Sequence, residues 1–114
     1  MISLDDTAPL PSDEPPEKVA VWVIDPTFPL GQMVITPAAM VVLEEARLSP
    51  FEFIIRHGNA DWGDLCDEDK QSNADALEHG ERLFSCYKLD ETTKLYVITE
   101  RDRSVTTVLL PSDY

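Results

Sequence analysis

Short apolar runs alternate along the chain with proline, glycine and acidic punctuation, and their periods sort them into strands and helices. Residues 19–24 are rich in Val and carry Trp22, which reads as a strand ended by Asp25-Pro26. A turn at Phe28-Pro29-Leu30-Gly31 leads into a second short strand over 32–35. Thr36-Pro37 opens a first helix, with threonine as the cap and proline at the first helical position, where its missing N–H costs nothing. Met40, Leu43 and Ala46, flanked by Val41 and Val42, give that helix its expected apolar face. Ser49-Pro50 starts a second helix, and Glu52 stands where it would complete a capping box. Its stripe is Phe51, Ile54 and Ile55, and Arg56 and His57 close it as cations favoured by the helix dipole. A loop with Gly58 and Gly63 follows. A third helix is expected over 65–79, with Asp64 as cap, Gly80 as stop and Leu65, Ala74 and Leu77 on its packed side.

Three strands close the chain, over 82–89, 94–99 and 104–110. Their close spacing predicts an antiparallel meander. The fold class is therefore α+β: an antiparallel sheet with a C-terminal three-strand meander, packed against about three helices. Trp22, Leu43, Phe51, Ile54, Tyr96, Ile98 and Val108 are the expected core. Residues 1–18 combine four prolines with acids, which reads as a disordered acidic tail, leaving 19–114 as a single domain.

Charge changes the picture most. The 114 residues carry 22 Asp and Glu against 9 Lys and Arg, a net −13. Residues 1–18 hold a net −4 and residues 61–79 a net −6, so the excess sits in the tail and around the third helix. Such a field repels nucleic acid and anionic membrane and attracts basic surfaces. No apolar run reaches the roughly 18 residues a membrane span needs, and the first residues lack the basic and apolar regions of a secretory signal. A cytoplasmic protein is expected, with Cys66 and Cys86 as free thiols.

Three groups of residues bear on chemistry. His57 and Asp61, four apart on a Gly-bounded loop, can be read as a base with its orienting carboxylate. The simpler reading is a helix end followed by a loop anchored by Trp62. Glu100, Arg101, Asp102 and Arg103 alternate in sign at a hairpin, as either a charged-ligand site or a solvated ion-pair cluster. Asp64, Asp67, Glu68, Asp75 and Glu78 fall in one broad helical sector, a solvated face or a binding surface for Lys and Arg that normally grip phosphates. Asp67-Glu68-Asp69 lacks the calcium-loop spacing. The sequence has no Gly-rich phosphate loop, no G-x-S-x-G and no paired zinc motif, so no metal or other cofactor is expected.

Pro29-Leu30-Gly31, Thr36-Pro37, Arg56-His57, Asp61-Trp62-Gly63-Asp64-Leu65, Asp69-Lys70, Asn73, the run from Ile98 to Ser104 and that from Thr106 to Pro111 together resemble a family of small bacterial proteins. These are labelled hypothetical or plasmid-related, some with restriction-enzyme names. The resemblance covers residues 28–114 and departs from the family pattern at Ala60, where a glycine is expected. It implies a bacterial mobile-element setting and names no reaction. Two functions compete, with an accessory subunit whose partner is unrelated to nucleic acid as a third reading. One is a non-enzymatic acidic interaction protein that binds a basic, nucleic-acid-binding partner, as an anti-defence or nucleic-acid-mimic inhibitor. The other is a small hydrolase or nuclease-like enzyme using His57, Asp61, Glu100, Asp102 and Arg103.

Overall fold

The computed structural model describes residues 2–3 and 26–114. The expected strand over 19–24, Trp22 and most of the 1–18 tail lie outside the described residues. The elements run β1 (Ile2–Ser3), β2 (Gln32–Ile35), α1 (Pro37–Ala46), α2 (Pro50–Gly58), α3 (Asp67–His79), β3 (Leu83–Lys88), β4 (Lys94–Thr99) and β5 (Val105–Leu109), then a 3-10 turn at Pro111–Asp113. Over the described residues the fold is α+β, with three helices and a sheet ordered β1-β2-β5-β4-β3.

β3, β4 and β5 pair antiparallel in sequence order, with Ser85 opposite Val97 and Thr99 opposite Thr106. The sheet as a whole is mixed, which corrects the antiparallel expectation. β2 lies parallel to β5, Ile35 opposite Val108. Close spacing dictates antiparallel pairing only for hairpin-linked strands. The chain between β2 and β5 carries three helices, ample length for a parallel return. Gly31 makes that pairing possible, because a Cβ there would sit 2.4 Å from the carbonyl oxygens of Arg103 and Ser104. Its φ of 65° is also one that glycine adopts without strain. Ile2–Ser3, within the segment read as a tail, pair antiparallel with β2.

One sheet face carries Leu83, Ser85, Tyr87, Leu95, Val97, Thr99, Thr106 and Val108, all buried. Ile35, Leu43, Phe53, Ile54 and Trp62 join it in one core. α1 is capped by Thr36, whose hydroxyl accepts from the Ala39 N–H, and it buries Ala39 and Leu43. Val41 and Ala46 face outward, so the apolar face expected there is rotated. α2 is capped by Ser49, but the hydroxyl takes the Phe51 N–H, and the expected capping box does not close. The buried stripe of α2 is Phe53, Ile54, His57 and Gly58, while Phe51 is half-buried. Counting only apolar positions misplaced this face, because its centre is a histidine.

α3 begins at Asp67 rather than Leu65, with Cys66 at the cap position and Gly80 as the stop. It buries Asn73 and Ala76, Leu65 and Leu77 are half-buried, and Ala74 is exposed. The late start has a local cause. Residues 62–64 run beside β3, and the Asp64 N–H donates to the Cys86 carbonyl, so this stretch is extended.

Candidate functional site

His57 sits at 0% exposure, inside the core. Its Nδ1 lies 2.6 Å from the Ser85 hydroxyl and its Nε2 2.9 Å from the Thr99 hydroxyl. Thr99 in turn meets Thr106 at 2.7 Å, and the Thr106 hydroxyl donates to the Leu30 carbonyl at 2.7 Å. Donor counting orients the whole chain. A carbonyl only accepts, so the single Thr106 hydrogen goes to Leu30. Thr99 must then donate to Thr106, which leaves its oxygen to accept from His57. The imidazole therefore carries its proton on Nε2, and the Ser85 hydroxyl donates to Nδ1.

Burial first, and the Arg103 charge second, push the His57 pKa down to about 3. The ring is neutral at physiological pH, not the dipole-favoured cation expected at the end of α2. It is also closed to solvent, with both nitrogens engaged. A general base must reach a substrate proton; this one reaches only Ser85 and Thr99.

Asp61 points elsewhere. Its carboxylate accepts from Arg56 Nε at 2.7 Å and from the Gly63 N–H at 3.1 Å, on the exposed surface. The Arg56 hydrogen bond holds its pKa below the usual carboxylate value. The Arg56 guanidinium lies 4.5 Å over the Tyr87 ring, and the Tyr87 hydroxyl donates to the Asp61 carbonyl at 2.6 Å. Asp61 thus fastens the loop to Arg56 and, among the described residues, makes no hydrogen bond to the His57 ring.

The same loop seals an edge of the sheet. On β3, the Cys86 N–H donates to the Trp62 carbonyl, and the Lys88 N–H donates to the Asp64 carboxylate at 2.8 Å. The Asn73 side chain takes both polar groups of Phe84, donating to its carbonyl and accepting its N–H at 3.1 Å. An open strand edge invites pairing with other chains, and here Trp62, Asp64 and Asn73 occupy it. Gly63 is required for this approach: a Cβ would fall 2.1 Å from the Cys86 oxygen, and its φ is 77°.

The hairpin after β4 is also a structural fastening. Asp102 accepts from the Ser104 N–H at 3.0 Å and from its hydroxyl at 2.6 Å, and these bonds lower its pKa. Arg103 donates to the carbonyls of Glu81, Glu100 and Ala76, tying the turn to the end of α3. Glu100 faces Arg82 at 3.7 Å. Arg101 is exposed. His57 is thus enclosed in the core while Asp61, Glu100 and Asp102 each engage other partners, and among the described residues no hydrogen bond joins the four. Among the described residues, no three His, Cys, Asp or Glu side chains converge as a metal site requires.

The acidic residues behave differently. Asp64, Asp67, Glu68, Asp75 and Glu78 are all exposed. At about 100° per residue, Asp67, Glu68, Asp75 and Glu78 fall in a sector of roughly 100° opposite Asn73 and Ala76. Asp64 lies before the helix, its carboxylate engaged by Lys88. Among the described residues, none of these five carboxylates forms an ion pair with Lys or Arg. Gln71 donates to Asp75 at 3.2 Å.

Ser85, Thr99, Thr106 and Asn73 escaped notice in the sequence as working residues. Ser85 and Thr99 share the strand face of Leu83 and Val97, and polar residues in apolar register are the one signal that marks them. No family model, curated protein or solved structure matches this chain.

Proposed function

We propose that this chain is a small acidic interaction protein that presents α3 to a basic partner, a protein whose Lys and Arg otherwise grip nucleic acid. The carrying observation is the face of Asp67, Glu68, Asp75 and Glu78, exposed and without cationic partners among the described residues. Like charges one turn apart repel, so the face costs helix stability that a basic surface would relieve. α3 contributes little apolar surface in return; its buried side chains are Asn73 and Ala76. Carboxylates on a fixed helix imitate a row of phosphates, and the net −13 steers such a partner and repels nucleic acid itself.

The resemblance to small plasmid-related bacterial proteins supports a mobile-element, cytoplasmic setting and an anti-defence role. No helix of the described residues is long and apolar enough to cross a membrane. The test is retention of host proteins by the wild type, by Glu68→Lys with Asp75→Lys, and by Glu44→Lys with Glu45→Lys on α1. A basic nucleic-acid-binding protein held by the wild type and the α1 variant, but lost with the α3 variant and at raised salt, is expected. Equal retention by all three proteins rejects the assignment.

A further inference from the structure

Between α3 and the outer face of the sheet runs a groove of about 500 Å³. Its floor is aromatic. Phe84 and Tyr96 meet edge to face at 4.7 Å between ring centres, and Tyr96 meets Tyr114 at 6.2 Å. Its charged lining is Asp69 on α3 and Glu81 beyond it, with Arg82 as the one cation among the described residues. Asp69 is the α3 carboxylate that turns away from the outer acidic sector, by its place on the helix next to the Asn73 side. Among the described residues neither Asp69 nor Glu81 is ion-paired. The groove thus joins three aromatic side chains to two carboxylates that lack an ion pair among the described residues.

We infer that this groove receives an arginine side chain of the basic partner. The inference rests on the acidic-face reading above and names the contact that anchors it. A planar guanidinium stacks on ring faces and bonds carboxylates edge-on, both of which the groove offers; an ammonium makes only the charge contact. The chain already shows the chemistry at the groove's end, where the Arg82 guanidinium lies 5.4 Å over the Tyr114 ring and its Nη1 donates to the Tyr114 hydroxyl. Glu100 offsets the Arg82 charge, so Asp69 and Glu81 remain to balance an incoming cation.

The test is an NMR titration of the full chain with an oligo-arginine peptide and with an oligo-lysine peptide of equal length. Oligo-arginine should move the ring resonances of Phe84, Tyr96 and Tyr114 and bind about fivefold more tightly than oligo-lysine. Tyr114→Ala, at an exposed position, should erase that preference and leave oligo-lysine binding unchanged, whereas Glu81→Gln, also exposed, should weaken both peptides. Equal affinity for the two peptides, or still ring signals beside shifting α3 amides, would overturn the groove assignment while the acidic face stands. Binding of neither peptide would overturn both.

Discussion

Acid should destabilise this protein through His57, by an amount that can be worked from its surroundings. The ring has a pKa of about 3 in the folded chain against 6.5 when unfolded. Above pH 6.5 the ring is neutral in both states, and the stability tied to its burial is fully present. As pH falls below 6.5 the unfolded chain takes up the proton and the folded chain does not, so stability drops until pH reaches the folded pKa. The slope is about 1.4 kcal/mol per pH unit, and the whole loss is about 5 kcal/mol as an upper figure. That is comparable with the total stability of a small domain.

The assay is urea unfolding between pH 7 and pH 4 of the wild type and of His57→Gln, which keeps a donor for Thr99 but cannot titrate. Carboxylate contributions are common to both proteins and cancel in the difference. The difference should shrink by about 1.4 kcal/mol per unit between pH 6 and pH 4. Nitrogen NMR of the folded wild type should show the ring protonated on Nε2 alone down to about pH 4. A difference that stays constant with pH, or a ring that titrates between pH 6 and pH 7 in the folded state, refutes the buried-network assignment.

Three further outcomes are expected. Ala60 holds a φ of 61°, the left-handed region, so Ala60→Gly should raise stability by about 0.5–1 kcal/mol, read from the urea midpoint. Asn73→Ala should cost about 1–3 kcal/mol by stranding the Phe84 N–H and carbonyl, and hydrogen exchange should quicken first in α3. Ile54, at 0% exposure, should cost about 2–5 kcal/mol when truncated to alanine; a loss under about 0.5 kcal/mol would place it at the surface.

Boundary signals made most elements legible. Thr36-Pro37, Ser49-Pro50 and Gly80 mark the ends of α1, α2 and α3, and β3 to β5 follow hairpin spacing. Helix phase was harder to read. The buried stripe of α2 is centred on His57, whose partners Ser85 and Thr99 are 28 and 42 residues away, so its burial cannot be inferred locally. Tyr96, expected in the core, is half-buried on the outer face beside Phe84. The glycine expected at position 60 had a physical basis, since the backbone there is left-handed. Charge needs no tertiary contact to be read, and the acids of α3 are exposed as expected. The loop drew a chemical reading through His57 and Asp61, yet Asp61 fastens it to Arg56 while Trp62 and Asp64 seal the β3 edge, a task visible only once the strand lies beside it.

The acidic face of α3 is tested most directly by fluorescence anisotropy of a labelled oligo-arginine peptide, titrated at about 50 and about 200 mM salt. Three proteins suffice: the wild type, Glu68→Lys with Asp75→Lys on α3, and Glu44→Lys with Glu45→Lys on α1. The last two change net charge equally, and all four sites are exposed. The α3 variant should bind about tenfold more weakly than the wild type, and the α1 variant within about twofold of it, with the gap narrowing at the higher salt. Equal weakening by both variants would mean that the peptide senses only net charge, and would contradict a binding surface on α3.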